Sequence, residues 1–513
     1  MEEMGDKELQ NLVGDESFGA LKHTAKRPPF DEKTPFKPDV RNQTEGGSFG
    51  EAPLSEDYFD NCANSAQVVW PLLAGNILEW YEFGIFGYLE DEITANFFSA
   101  SWITWAFYAM AFVLRPVGGL LCGLLGDRVG RKKATLYAVI GMTAATVLQG
   151  CLPSKKTGGP VAQYVGVMLL FVCRVVQGLC AGGEVAGVHT YISEGAHKQG
   201  LGVAVSLISF TNSCAAFLAA AAVVLCTLVF GERAMEQWAW RVCFWAAVVP
   251  SYYCIRQLMR MPETEAFQAA QRERASALPN GDPGFGQESA LEELQASAGT
   301  SWEDTKHVLQ NHWRRIGLVV LSMAGVSSMW YTASPYSISY VDDHGGSDNV
   351  ATAAVMLAHL MVLCLCIPVG FLTDKFGVGR VLLAGSVVLV GSAIPCISLL
   401  SAYATDTLSV YLIIALMMPL MITLSGSTIQ LYVTEMFPTD VRYTAVGVSY
   451  NLAVGLFGGL SPLYCETFSG MIDLFPGYYI ATLSMVSFCT LLFCRHLRNR
   501  GELKTTHIRH YPY

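Results

Sequence analysis

Charge is what this sequence has least of. Only 15% of its 513 residues are Asp, Glu, Lys or Arg, against about 25% in soluble domains, while 52% are hydrophobic. An ordinary soluble domain is excluded. Residues 1–60 and 259–315 hold 36 of the 76 charged residues, so the rest of the chain is nearly uncharged. There is no basic block and the net charge is −10, which argues against nucleic acid as a partner. The 15 Cys include no Cys-x-x-Cys pair, and most sit in apolar runs where they read as small hydrophobes. No nucleophile-and-base set, phosphate loop or metal-ligand spacing is present, so neither an enzyme nor a cofactor or metal is expected. The N-terminus lacks the basic-then-apolar pattern of a cleavable signal, and residues 1–60 read as a disordered tail.

What the chain does have is long apolar runs. Lipid offers no partner for backbone N–H and C=O groups, so a crossing helix needs about 20 apolar residues. Twelve candidates fit: 66–90, 102–125, 134–152, 161–192, 201–229, 238–258, 316–340, 350–372, 381–402, 408–434, 443–465 and 474–494. An even count puts both termini on one side. Among the loops, only Lys155, Lys156, Arg233 and Arg241 fall on the opposite face, and 27 of the 33 Lys and Arg lie on the terminal side. That side is therefore expected to be cytoplasmic. The charged stretch 259–313 divides the chain into bundles 61–258 and 314–498, with tails 1–60 and 499–513. Internal similarity supports a duplication: Gly126-Asp127-Arg128-Val129-Gly130-Arg131 is answered by Thr373-Asp374-Lys375-Phe376-Gly377, and Tyr191-Ile192-Ser193-Glu194 by Tyr432-Val433-Thr434-Glu435. The expected fold is an all-α integral membrane protein of twelve helices in two pseudo-repeated six-helix bundles.

Four co-linear motifs carry a family resemblance. They are Gly75-Asn76-Ile77-Leu78-Glu79-Trp80-Tyr81-Glu82-Phe83, Arg115-Pro116-Val117-Gly118-Gly119 running into Gly126 to Lys133, Arg174-Val175-Val176-Gln177-Gly178 with Gly182-Gly183-Glu184, and Glu435-Met436-Phe437-Pro438-Thr439-Asp440-Val441-Arg442. The chain resembles the major facilitator superfamily, in its metabolite:proton symporter branch of proline/betaine, dicarboxylate and shikimate carriers. The likeness runs from about residue 66 to 498. It implies alternating access in a plasma membrane, with a small solute and protons as partners. Three positions depart from the branch: Glu82 replaces the usual Asp, Val185 an aromatic, and His189 a small or apolar residue.

Charges inside spans are costly and need partners or a wet cavity. Glu79 and Glu82 lie three apart on one helical face. Either can carry a proton, or can simply neutralise a buried Arg. The resemblance implies a pair of Glu82 with Arg174. Glu184 reads as a second proton site or as a structural partner, Arg115 as a structural contact or an anion ligand, and His189 as a core or titrating imidazole. The loop motif implies an inner gate of Asp127, Arg128 and Arg131 with Glu194, and of Asp374 and Arg380 with Glu435 and Arg442. Asp127 is read as acting on a helix N-terminus.

Aromatic rings beside carboxylates suit a quaternary or secondary ammonium through cation–π attraction. Trp80, Tyr81, Trp330, Tyr331, Tyr450 and Asn451 are the candidate contacts, with Arg115 held for a carboxylate. Trp102, Trp105, Tyr336 and Tyr340 are assigned instead to the membrane interface. A zwitterion of the betaine or proline type is favoured over an organic anion. A non-transporting solute sensor is the alternative of another class.

Overall fold

Pro and Gly interrupt several of the apolar runs, and each interruption becomes a kink or a wide turn in an otherwise helical chain. The computed structural model describes residues 73–129, 131–195, 200–260, 302–438 and 441–503, all within one compact unit. Tail 1–60 and most of 259–313 lie outside these residues. Nine described stretches are long and apolar enough to cross a membrane, corresponding to spans two, four, five and seven to twelve. Span one (73–88), span three (Arg131–Gln149) and span six (Trp240–Trp245 and Val248–Arg260) are helical too.

Several boundaries move. Span seven is preceded by helix back to Trp302, inside the stretch read as linker. Span one ends before Leu89, and Glu90–Phe97 forms a separate short helix beyond it. Span two breaks between Ser101–Val113 and Arg115–Val129, where Pro116 cannot donate to the preceding turn. Spans seven, ten and eleven each contain a wide i→i+5 turn, at Thr332–Tyr336, Tyr411–Met417 and Val454–Gly459. Such turns recur at functional sites because they re-aim the side chains that follow.

The two halves meet along span five against span eight and along span eleven against spans two and four. The near end of this interface, where Gly200, Phe376 and Asn499 lie, is closed by hydrogen bonds. Asp374 accepts from the backbone N–H of Gly202 (2.7 Å) and Val203 (3.2 Å), at the start of span five. Tyr443 donates to Gly183 O, and Asn451 Nδ2 to Gly182 O at 2.9 Å. The far end, beyond Tyr88 and Phe230, is closed as well. Tyr88 meets Ser334 (2.7 Å) and His359 (3.1 Å), Ser339 donates to Glu90, and Asn349 donates to Glu232. A Cβ on Gly87 would lie 2.7 Å from Pro335, so that crossing requires glycine. With both ends shut, the centre of the interface is occluded.

Candidate functional site

The N-terminal half buries Glu79, Glu82, Arg115, Arg174, Glu184 and His189 inside its spans. Glu79 forms a fully buried ion pair with Arg115 across spans one and two. The Arg115 guanidinium also lies over the rings of Phe83 (4.5 Å), Phe112 (5.0 Å) and Trp80 (5.5 Å). Glu82, one turn on, accepts from the Thr146 hydroxyl of span three at 2.6 Å, and Gln177 of span four donates to that same hydroxyl.

The expected Glu82–Arg174 pair is not formed. Arg174 stacks on Phe86, 3.2 Å from the ring centre, and its three guanidinium nitrogens have no hydrogen-bond partner among the described residues. The physical reason is angular. Glu79 faces span two while Glu82 faces span three, so the nearest guanidinium is captured by Glu79 and the second carboxyl is held by a neutral hydroxyl. Glu184 packs against Gly75 and leaves its Oε2 unpartnered.

Between the halves lies a cavity of about 40 Å³, room for about three waters. Its aromatic lining is Trp80, Trp330, Tyr331 and Tyr450, and its polar lining includes Ser209, Asn212, Ser327 and Gln430. The structure thus gathers four of the seven candidate contacts. Trp80 and Tyr331 lie 6.1 Å apart between ring centres, and the Tyr331 hydroxyl has no partner.

The other three candidates point elsewhere. Tyr81 donates to Cys243 O and ties span one to span six. Asn451 clamps the near end. Arg115 lies behind the lining, against Trp80. Trp105 and Tyr336 are not interfacial either: both are fully buried, 6.1 Å apart across the two halves near the far end.

The polar lining was missed because single Ser, Asn or Gln residues in apolar helices give no periodic signal. Asn76 and Gln177 do carry a signal, since both sit inside the first and third motifs and a buried amide needs partners. Asn76 holds Asn212 and Thr211. Gln430 meets His189 Nε2 at 2.6 Å, His189 Nδ1 meets Val185 O, and the His189 ring packs 4.9 Å from Tyr450. The imidazole thereby joins span four to the cavity wall of the other half.

Of the gate residues, Asp374 occupies a helix N-terminus, the role read for Asp127. The side chains of Asp127, Arg128, Arg131 and Glu194 lie outside those described. Arg442 is buried and donates to Thr434 O and Phe437 O, turning the chain at the end of span ten, where Glu435 is also buried. Arg380 is exposed at the start of span nine.

A helical bundle built on an internal repeat and closed around a small central cavity is the architecture of a solute carrier, and residues 68–497 match the family model described as "Sugar (and other) transporter". The chain belongs to this transporter family. It is a multi-pass membrane transporter and not an enzyme. It is 31% identical over 442 residues to the ectoine/proline transporter ProP of Corynebacterium glutamicum, covering 82% of each chain. It is 28% identical to a proline/betaine transporter of Escherichia coli, covering 83% of this chain and 82% of that one. Among solved structures, the xylose transporter XylE from E. coli, in a partially occluded inward-open conformation, matches with a TM-score of 0.61 at 15% identity, over 84% of this chain and 97% of that one. The same protein, described as a major facilitator superfamily proton:xylose symporter, matches with its bound sugar analogue at the same score and 16% identity. At such identity the likeness is one of fold, and the fold is that of the major facilitator superfamily.

Proposed function

We propose that this transporter carries a small zwitterion of the betaine or proline type together with a proton, by alternating access across the plasma membrane. The observation that carries the reading is the cavity at the interface of the halves. Four aromatic rings line it, which suits a quaternary or secondary ammonium held by cation–π attraction of about 0.5–2 kcal/mol per good contact; the carboxylate expected beside the rings is not among the described lining residues. Arg115, one side chain behind Trp80, is the anchor available to the solute carboxylate once Glu79 releases it. Proline, betaine and ectoine are the solutes named for the relatives, which supports this class. Both termini are assigned to the cytoplasm by the Lys and Arg count, so the far end faces outward.

Proton coupling is assigned to the buried acids. Protonating Glu79 breaks its pair with Arg115, and protonating Glu82 changes its contact with Thr146. Either event removes a charge that favours one packing of the bundle, which biases the equilibrium between states. Arg174 supplies the compensating cation, Glu184 a further acid toward the near end, and His189 the link to Gln430. Asp374 fastens the inner gate at the start of span five, with Asp127, Arg128, Arg131, Glu194, Arg380, Glu435 and Arg442 on the same side.

One observation favours an organic anion instead: the unpartnered guanidinium of Arg174. It does not line the cavity, so the zwitterion is preferred. The test is uptake of labelled glycine betaine, proline, 2-oxoglutarate and shikimate into proteoliposomes, with and without an inward proton gradient. Gradient-dependent accumulation of the first two is expected. Accumulation of the acids alone would reassign the cations as ligands, and binding without accumulation would make the protein a sensor.

A further inference from the structure

Glu90 is a buried titratable group that none of the steps above uses. It opens the short helix Glu90–Phe97 beyond span one, at the far end. It is only 3% exposed, and hydroxyls take both carboxyl oxygens. Thr94 of its own helix donates to Oε1 at 2.6 Å, and Ser339 of the opposite half donates to Oε2 at 3.1 Å. The Thr94 hydroxyl is in turn 2.5 Å from that of Thr104 in span two.

No base among the described residues pairs with Glu90. The charged groups facing it are acids, Asp91 on its own helix and Glu466 near the end of span eleven; Asp342 and Asp348 in turn face Asp91, and Asp343 faces Glu466. Of the bases of this end, His344 pairs with Asp473 and Lys156 with Glu236, Arg241 donates to Leu152 O, and Lys155 and Arg233 are exposed. His359 contacts Tyr88 and Ser334 rather than an acid.

We propose that Glu90 is the acid that couples closure of the outer mouth to external pH, protonated when the mouth shuts on Ser339 and ionised when it reopens. The inference rests on the outward assignment of the far end. Its physical basis is the cost of burying a carboxylate without a cation. In the closed mouth a neutral carboxyl still accepts from one of these hydroxyls and donates its own proton to the other, which rotates from donor to acceptor. In the open mouth water solvates the carboxylate and the surrounding acids repel one another less.

The sign follows from linkage. Burial raises the closed-state pKa of Glu90 above its open-state value, so closing takes up a proton. Closure is therefore favoured in acid and weakens as pH rises through the closed-state value. The proton on Glu90 returns outside when the mouth reopens, so it shifts the balance of states without adding to the transported stoichiometry.

The test uses full-length protein in liposomes carrying Ser327→Cys, a reporter on the cavity wall, and a membrane-impermeant maleimide added outside. Labelling of the added thiol is followed by peptide mass spectrometry from about pH 5 to pH 8. At each pH the rate is divided by that of Glu90→Gln with the same reporter, which cancels the thiol's own ionisation. The ratio is expected near one in acid and to rise several-fold with pH, by at most about tenfold per pH unit for one proton.

A flat ratio overturns the inference, as does a rising ratio that Asp91→Asn reproduces in place of Glu90→Gln. If Glu90→Gln does not fold, Ser339→Ala serves. Its labelling relative to the parent should be highest in acid, where the parent is shut, and should decline toward one as pH rises; a constant excess also overturns the inference. No solute or gradient is needed. A flat ratio in protein that accumulates solute therefore sinks this inference alone, and a rising ratio in protein that accumulates none sinks the symport reading alone.

Discussion

The two halves share a helical plan but divide the chemistry unequally. Inside its spans the N-terminal half buries Glu79, Glu82, Arg115, Arg174, Glu184 and His189, whereas the C-terminal half buries His359 and a set of hydroxyls in their place. Ser322, Ser386, Ser425, Ser484 and Ser487 surround a second, smaller cavity of about 10 Å³. The buried charges of the C-terminal half that the motifs singled out, Glu435 and Arg442, lie instead at the near end of span ten and the start of span eleven. The two halves thus share a packing plan, and the buried Glu79–Arg115 ion pair lies in one of them. A charge inside a bundle is costly unless paired, so a repeat that does not titrate does better with neutral groups.

Breaking this comparison at its most charged point should give the largest effect. Arg115→Met leaves Glu79 ionised in a site with no other cation in contact, and removing one partner of a buried pair costs about 3–5 kcal/mol. Loss of most folded protein, or a large fall in the thermal midpoint in detergent, is expected. Adding Glu79→Gln should restore most of the stability while abolishing gradient-driven accumulation, because the uncompensated charge is gone but so is the switch. Equal instability of the single and double variants would mean that Arg115 acts through Trp80, Phe83 and Phe112 rather than through Glu79.

An intermediate effect is expected where the halves meet. Trp330 belongs to the C-terminal half and lines the cavity, with its ring 5.6 Å from His359. If it holds an ammonium group, Trp330→Ala should raise the KM for the solute by about twofold to thirtyfold, the range of one cation–π contact. Trp330→Phe should recover part of the loss. An unchanged KM with a reduced maximal rate would assign the ring to gating through His359 instead.

The fold was legible because its signals are long and redundant: apolar runs, a one-sided Lys and Arg count, and motifs that recur in order. The site was legible only in part. Spacing put Glu79 and Glu82 on one face but could not say that the face is divided between spans two and three, which decides the partner of Arg115. Asn451 looked like a cavity residue beside Tyr450, yet successive residues of a helix point about 100° apart. Tyr450 lines the cavity, and Asn451 grips Gly182. The contact with a helix N-terminus read for Asp127 is made by Asp374, its counterpart in the repeated motif, while the side chain of Asp127 lies outside those described.

The smallest effect should come from the hydroxyl half, and there the comparison can be made inside one cavity. Ser487 accepts from Gly325 N at 2.9 Å and donates to Leu321 O at 3.0 Å, joining spans seven and twelve. The Ser425 hydroxyl lines the same cavity with no protein partner. Gly325 N–H and Leu321 O are four apart in one helix and still pair with each other, so Ser487→Ala loses only the bridge between spans and should cost about 0.5–1.5 kcal/mol. Ser425→Ala removes a buried polar atom that gains nothing from protein contacts, offset by a slightly larger void, so its effect should fall within about 1 kcal/mol of zero. Thermal midpoints of the two variants in the same detergent decide the point. Equal destabilisation would mean that Ser425 is held by a bridging water, since a cavity of about 10 Å³ is at the lower limit for one. The serine half would then be a hydrated joint rather than a dry one.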